Sequence, residues 1–301
     1  MRVCTGFKKN CFIFAAFLWL PWISGCNPST EPETGPVGES YLHVRPTWSP
    51  DGKWISFTSL ASGAQGIYLV DSSGANLHLL IGGEGLGTTW SPDGNWLAFS
   101  RVGSIYKIRV NGDSLTRLTT SAGDIRPAWS RDGFKLAFVR RDLSNAQAIW
   151  LYDLRAGNAR QLVPFGDYPS WHPNSNEIII LESQVDGATN ILVYKFTSIQ
   201  IETNSVLTVH TFSSKSDCGF TSISPKGDAI AYSLNPADDY AQVWKFELSG
   251  ARHTRLTDDG GDFPAWSPSG TQIVYTRTQR GDGGLWVMNA DGTGKRRLTS
   301  P

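Results

Sequence analysis

The residues best suited to bind a ligand stand at the junctions between repeated segments of this 301-residue chain. Three of the junctions carry a glycine followed by an aspartate: Gly123-Asp124, Gly166-Asp167 and Gly261-Asp262. Beside such pairs stand Arg45, Arg126, Tyr168, Phe220 and Phe263. Aspartate and arginine supply charge-assisted hydrogen bonds, and aromatic rings supply large apolar contact areas. Such a mixture predicts a site for a peptide or for a loop of a partner protein.

A second set of residues ends the second predicted strand of each repeat and is expected to face the same central funnel. It comprises Ser59, Arg101, Arg140, Glu182, Leu234 and Arg277. The alternative is that the aspartates only end turns and pair with neighbouring arginines. We therefore take as candidate partner-binding residues Arg45, Asp124, Arg126, Asp167, Tyr168, Phe220, Asp262 and Phe263.

The common catalytic motifs are absent from the sequence: it has no Gly-x-Ser-x-Gly elbow, no His-Glu-x-x-His and no P-loop. Its five histidines are scattered, and the acidic pairs Asp238-Asp239 and Asp258-Asp259 do not match a calcium-binding loop. We expect no catalytic residue, no metal and no cofactor. A carboxylate pair across the funnel could still run glycoside chemistry, although the linear order shows no such pair.

A repeated unit of about 40 residues must position these side chains. The phrase Trp-Ser-Pro-Asp-Gly, or a variant of it, occurs six times, and its first position is occupied by Trp48, Trp90, Trp129, Trp171, Ile223 and Trp266. The spacings between these positions are 42, 39, 42, 52 and 43 residues. A period near 40 with strand-like content is typical of a β-propeller.

Each repeat contains the pattern of four strands. In the second repeat, Leu97 and Phe99 stand two apart after the turn, Asn111-Gly112 marks a later hairpin, and Arg117-Leu118-Thr119 forms the last strand. The sequence therefore predicts an all-β fold, a six-bladed β-propeller with four antiparallel strands per blade, over residues 41–301. We expect the tryptophans to pack between blades, since one small sheet could not bury them.

The sequence allows two ways of closing the ring: packing of the first blade on the last, or pairing of Tyr41 to Val44 as an extra strand. The fourth repeat is the longest, because Thr197 to Val209 stretches its outer hairpin. In propellers the loops between blades converge on one face together with the loops between second and third strands, which places the Ser-Pro-Asp-Gly turns on the opposite face.

Residues 1–25 have the pattern of a lipoprotein signal peptide, with a basic start and a short apolar stretch. The stretch ends in Ile23-Ser24-Gly25-Cys26, which resembles the bacterial lipobox and makes Cys26 the predicted lipidation site. The alternative is an ordinary secretory peptide with a chance cysteine. Residues 26–40 are rich in Pro, Thr, Ser, Gly and Glu and are expected to form a disordered tether.

Charge and cysteine content agree with an exported protein that does not bind nucleic acid. Removal of residues 1–25 leaves 24 basic and 27 acidic residues and a formal charge of −3. This charge does not provide the excess of basic residues that nucleic-acid binding needs. Only Cys218 then remains besides the acylated cysteine, so no intramolecular disulfide is possible and a tolerated thiol is expected. Asn27 is not the aspartate that retains enterobacterial lipoproteins at the inner membrane, which predicts an outer-membrane location facing the periplasm.

In its repeats the chain resembles the TolB-type propeller family, whose module is the WD40-like Trp-Ser-Pro-Asp-Gly repeat. The resemblance covers about Tyr41 to Pro301 and is strong in five of the six copies. It implies a six-bladed propeller of the bacterial envelope that acts by binding other proteins. The chain departs from TolB in two expected respects: it has no N-terminal α/β domain before the propeller, and it carries a predicted lipidation site. We therefore expect a lipoprotein variant of the family.

We therefore predict a non-catalytic envelope lipoprotein, a monomer whose propeller is a scaffold for binding a protein or peptide. The alternative is a hydrolase that acts on glycans or peptides with its site in the funnel. A third possibility is a purely structural component of the envelope. Two carboxylates about 5–9 Å apart in a deep funnel would favour the enzyme, and a face lined by arginine and aromatic groups would favour binding.

Overall fold

Six four-stranded antiparallel sheets form the ring in a computed structural model of the chain. The structure describes residues 43–236, 239–277 and 283–300. The predicted signal peptide, its lipidation site Cys26 and the tether lie outside these residues. The predicted fold is confirmed: each blade holds four strands that follow one another in sequence and pair in that order.

The strands divide evenly among the six blades. Blade 1 contains β1 (His43–Trp48), β2 (Trp54–Ser59), β3 (Gly66–Asp71) and β4 (His78–Gly82), and blade 2 contains β5 (Leu86–Trp90), β6 (Trp96–Arg101), β7 (Ser104–Arg109) and β8 (Thr116–Arg117). Blade 3 contains β9 (Asp124–Trp129), β10 (Lys135–Arg141), β11 (Gln147–Asp153) and β12 (Asn158–Val163), and blade 4 contains β13 (Asp167–Trp171), β14 (Glu177–Val185), β15 (Leu192–Gln200) and β16 (Val206–Ser214). Blade 5 contains β17 (Asp217–Ile223), β18 (Ala229–Asn235), β19 (Gln242–Glu247) and β20 (Arg252–Arg255), and blade 6 contains β21 (Asp262–Trp266), β22 (Gln272–Arg277), β23 (Gly284–Asn289) and β24 (Arg296–Arg297).

The Ser-Pro-Asp-Gly turn is stabilised by its own side chains. In blade 2 the hydroxyl of Ser91 donates to Asp93 at 2.5 Å and accepts a hydrogen bond from the amide of Trp96 at 2.9 Å. Gly94 adopts a positive φ of 72°, a conformation that glycine reaches without steric cost. The hydrogen bonds that close this hairpin between first and second strands therefore lie within the turn itself.

The tryptophans at the ends of the first strands pack between blades, as predicted. Trp171 is 4% exposed and lies in one cluster with Leu162 and Val163 of blade 3 and Ile178 of its own blade. Its indole Nε1 donates to the carbonyl of Ala128 in blade 3 at 2.9 Å. The indole therefore joins neighbouring sheets by both apolar contact and a hydrogen bond.

The ring closes without strand exchange in the part of the chain that the structure describes. His43 and Val44 belong to β1, where they pair with Ser59 and Thr58 of the same blade. Side chains join the first blade to the last: Nδ1 of His43 lies 3.0 Å from Oγ1 of Thr299, and the hydroxyl of Thr276 donates to the carbonyl of His43 at 3.0 Å. Of the two predicted ways of closure, packing is the one observed.

Two strand lengths differ from the simple repeat. The predicted outer strand Arg117-Leu118-Thr119 is shorter in the structure, because β8 ends at Arg117, although Leu118 still donates its amide to the carbonyl of Ile105 at 2.8 Å. In blade 4, β14, β15 and β16 each have nine residues, in agreement with the predicted long hairpin. Across the described ranges we find no helix with the length and apolar character to span a membrane.

Alternating strand directions sort the loops into two faces. We call the face that carries the loops between second and third strands, and between successive blades, the entry face. The opposite face carries the Ser-Pro-Asp-Gly turns and the loops between third and fourth strands, and we call it the turn face. Because each first strand begins at the entry face, the start of β1 at His43 also lies there.

Candidate functional site

A central channel with a volume of about 540 Å³ runs between the six first strands. Near the entry face, each first strand contributes one residue at the same repeat position to its lining. We call this set the bulge ring, and it consists of Arg45, Gly87, Arg126, Tyr168, Phe220 and Phe263. Five of these residues are candidates predicted from the sequence.

The bulge ring has an unusual backbone. All six of its residues adopt a left-handed φ, between 50° and 66°, and the strand register shifts at each of them, as between Val44 and Thr47. A side chain in this conformation costs roughly 1–2 kcal/mol, so glycine is the residue expected at such a bulge. Only blade 2 has glycine there, and the other blades carry arginine, tyrosine or phenylalanine. Left-handed residues other than glycine are frequent at ligand-binding sites, which makes this ring a candidate site.

Arg126 and Tyr168 form the most constrained part of the bulge ring. Nη1 of Arg126 donates to the carboxylate of Asp167 at 2.5 Å, and both side chains are only 14% exposed. The guanidinium stacks over the Tyr168 ring at 4.1 Å, and Nη2 donates to the tyrosine hydroxyl at 3.1 Å. Burial raises the pKa of Tyr168 to about 12, so this hydroxyl stays neutral.

The aromatic members continue the ring through direct contacts. Tyr168 meets Phe220 edge to face with a centroid distance of 4.9 Å, and Phe220 lies 4.1 Å from Phe263. The guanidinium carbon of Arg45 then stands over Phe220 at 5.4 Å and over Phe263 at 6.0 Å. One connected surface of three aromatic rings with an arginine at each end therefore faces the channel.

Arg45 differs from Arg126 because its guanidinium has no ion-pair or hydrogen-bond partner within the described ranges. It is half buried, and burial together with the nearby charge of Arg126 lowers its pKa to about 10. The side chain lies against Gly87: a Cβ added there would come within 3.3 Å of Nη1. Glycine in blade 2 therefore leaves room for the Arg45 side chain.

The three candidate aspartates surround the channel without lining it. Asp124 is fully buried and accepts two hydrogen bonds from Arg140, at 2.6 and 2.8 Å. Asp262 is 7% exposed, accepts from the amide of Phe263 at 2.7 Å, and has its pKa raised to about 6 by burial. For Asp124 and Asp167 the structure thus shows the arginine pairing that we considered as the alternative to a binding role.

Exposed apolar side chains mark the entry face, either in the loops between second and third strands or, for Val185, at the end of the second strand. Blades 1 to 5 each present one, and we call these residues the apolar crown: Leu60, Val102, Leu143, Val185 and Tyr240. Leu143 is fully exposed and Val102 is 74% exposed. Val102 also has a φ of 47°, a position in a two-residue hairpin that favours asparagine or glycine over a β-branched residue.

Sequence reasoning missed one cluster, which lies between the outer strands of blades 4 and 5. Nε2 of His210 lies 3.0 Å from Nε2 of His253, and the hydroxyl of Tyr232 lies 2.7 Å from Nδ1 of His253. The two histidines are 43 residues apart, which is one repeat, and this spacing is the signal that could have revealed them. No group of three or more His, Cys, Asp or Glu that could hold a metal occurs among the residues described.

The histidine pair predicts a pH dependence of stability. Burial lowers the pKa of both imidazoles, and the His210 charge lowers that of His253 further. The unfolded chain therefore binds protons first as the pH falls below about 6.5, and the free energy of unfolding should decrease from pH 7.5 to pH 5. His210→Phe keeps a ring stacked on Phe246 and should flatten this dependence in urea unfolding. An unchanged slope in the variant would contradict the assignment.

Cys218 behaves as the sequence predicts for a tolerated thiol. Its side chain is half buried, and burial raises the pKa of the thiol well above its ordinary value. A thiol that stays protonated is a poor nucleophile.

Sequence comparison places the fold in a known family. The sequence model of the TolB beta propeller domain matches residues 36–204, more than half of the chain. The chain belongs to the TolB β-propeller family. An uncharacterized protein of Agrobacterium fabrum is 35% identical over 158 residues, which cover 46% of this chain and 53% of that protein. This chain therefore spans about half the length of that relative.

Solved structures share the architecture at low sequence identity. TolB from Acinetobacter baumannii superposes with a TM-score of 0.64 and 17% identity, covering 85% of this chain and 63% of that one. An oligogalacturonate lyase in complex with manganese superposes with a TM-score of 0.56 and 15% identity, covering 86% and 77% respectively. At these identities the likeness extends to the fold alone, and the fold accommodates both a TolB and a lyase.

Proposed function

We propose that this protein is a non-catalytic propeller of the bacterial cell envelope that binds a protein or peptide at its entry face. The observation that carries the proposal is the bulge ring. Five large side chains occupy left-handed positions where glycine would be relaxed, and they form one continuous surface of arginine and aromatic groups. Aromatic and arginine side chains are the most frequent energetic anchors of protein interfaces.

The apolar crown supports a macromolecular partner rather than a small ligand. Its residues stand on the entry face, four on the loops between second and third strands and Val185 at the end of β14. Single exposed apolar residues are ordinary, but one at the corresponding edge of five successive blades supports an apolar contact with a large partner. A partner that inserts a segment into the channel would cover these side chains with its body.

The hydrolase alternative has less support. Glycoside hydrolysis needs two carboxyl groups beside the substrate, one of them able to donate a proton. No aspartate or glutamate belongs to the described lining of the channel, and the nearby Asp124 and Asp167 are held in ion pairs. The channel wall offers hydroxyl groups, backbone and tryptophan edges, which suit binding.

Photo-crosslinking in the native cell tests the proposed face. A photoreactive residue at Leu143, on the entry face of blade 3, should capture a defined protein partner. The matched control is Ala156, exposed on the turn face of the same blade, which should give no product above background. Capture from Ala156 alone, or equally from both positions, would contradict the proposed interface.

The proposal includes a lipid anchor at Cys26, as the sequence predicts. Cys26→Ser should move the protein from the membrane fraction to the soluble periplasmic fraction, and mass spectrometry of the wild-type N-terminus should show acyl chains on Cys26. A wild-type protein that fractionates as soluble, without acylation, would leave the propeller function intact and refute the anchor.

A further inference from the structure

We infer that the bulge ring binds a carboxylate carried by an extended segment of the partner, and that Arg45 is the residue that receives it. The inference rests on the proposed function and names the chemistry of that same site. The carboxylate is an Asp or Glu side chain or a free C-terminus. An acidic sugar would present the same group, and the experiment below separates the two sources.

The hydrogen-bonding state of Arg45 is the first reason. A guanidinium has five N–H donors in a planar fork that matches a carboxylate. No described residue accepts a hydrogen bond from these donors. By contrast, Arg126 in the same ring and the nearby Arg140 are both bound to aspartates. Because these donors are not used by a described residue, Arg45 can bind a ligand carboxylate without first breaking a hydrogen bond within the protein.

Arg45 is also held in place without using its donors. Phe220 and Phe263 lie under its guanidinium, and Gly87 lies against its side chain. Contacts of this kind restrict the position of the fork, and Arg45 is one of the residues that line the channel. A preorganised site binds its ligand with less loss of side-chain entropy.

The charge balance around the ring favours an anion. Arg126 cancels Asp167, which leaves Arg45 and Arg141 as guanidiniums without ion pairs among the described residues. Nε of Arg141 is buried and has no hydrogen-bond partner there either. Two carboxylates act on the charge of Arg45: Asp167, which is paired with Arg126, and Asp262, which is buried and has its pKa raised to about 6.

A peptide fits this surface better than an acidic sugar. The carboxylate at Arg45 would lie beside the rings of Phe220 and Phe263, which offer an apolar contact to the neighbouring side chain of an extended chain. The apolar crown then contacts the rest of the partner. A sugar acid would leave the crown uncovered.

Selection from a displayed library of random heptapeptides with free C-termini tests the inference. The wild-type protein should enrich peptides that carry Asp, Glu or a terminal carboxylate next to an apolar residue. Synthetic pairs that differ only as Asp against Asn, or as free against amidated C-terminus, should then differ in affinity by about 10- to 100-fold. Arg45→Met should abolish that difference, and Arg45→Lys should keep part of it.

The control variant is Arg131→Met, which removes an arginine that lines the same channel at its turn-face end. Methionine at 45 keeps an unbranched side chain, so the left-handed backbone is equally strained, and unchanged thermal unfolding checks the fold. The acid preference should survive in Arg131→Met.

Each other outcome has a defined meaning. Peptides selected without acid preference, and bound equally by Arg45→Met, would overturn the carboxylate inference and leave the proposed binding function standing. No enrichment together with binding of glucuronate would identify an acidic sugar and overturn the peptide source. No enrichment and no glucuronate binding would overturn the inference altogether. Crosslinking at Leu143 tests the proposed binding function independently of this result.

Discussion

Trp171→Ala should lower the free energy of unfolding by about 3–5 kcal/mol, as large-to-small changes at buried aromatic residues do. The indole fills the space between blades 3 and 4, so its loss leaves a cavity with walls that belong to two different sheets. The variant also leaves the carbonyl of Ala128 without its indole donor. Urea unfolding followed by far-ultraviolet circular dichroism measures the effect.

The matched control for this prediction is Trp96→Ala. Trp96 is half buried on β6 and contacts the charged ends of Lys107 and Arg109 at 4.5 and 4.8 Å. Among the described residues it belongs to none of the buried apolar clusters that join blades. Its removal should cost about 1 kcal/mol or less. Equal losses in the two variants would show that the tryptophan of the repeated phrase has no special part in joining blades.

Gly103→Ala should destabilise the protein by about 2–5 kcal/mol, the sum of a left-handed backbone and a steric clash. Gly103 has a φ of 69°, and a Cβ built on it would overlap the backbone carbonyl of Ala122 at the start of blade 3. Backbone cannot rotate away as a flexible side chain would. The carbonyl of Gly103 also accepts the amide of Asp124 at 2.8 Å, so the change disturbs the entry to the next blade.

Gly63→Ala separates the two causes. Gly63 lies in the equivalent loop of blade 1 with a φ of 78°, and nothing stands within 4 Å of its added Cβ. This variant should lose only the conformational part, about 1–2 kcal/mol. Thermal unfolding midpoints that fall equally in the two variants would refute the clash at Gly103.

The number and composition of the blades could be predicted from sequence because both depend on local patterns. The repeated phrase forms a turn through its own hydrogen bonds, as at Ser91 and Asp93, and the alternating apolar residues beyond it form the second strand. The spacing of the tryptophans then counts the units. Each of these signals lies within a few residues and needs no knowledge of distant contacts.

The bulge ring could be predicted only in part. The candidate residues were found as a recurring chemical pattern, but the left-handed backbone at Arg45 or Phe263 contradicts the preference of those residue types. One signal was available: Pro46 and Pro264 follow them, and proline in a strand is confined to edges and bulges. Arg126 pairs with Asp167, whereas Arg45 has no ion-pair partner among the described residues. Both facts depend on which side chains meet between blades, and the linear sequence does not show those contacts.

The contact between the last blade and the first, which involves no strand exchange among the described residues, has a consequence for how such a chain can evolve. Every sheet is one uninterrupted stretch of sequence, so the ring has no obligatory starting point. A cut between Gly82 and Leu86, with the ends of the ring joined, would sever no ladder of paired strands. Modules of this kind can be duplicated, deleted or reordered as whole units, and a rearranged gene would still encode complete sheets.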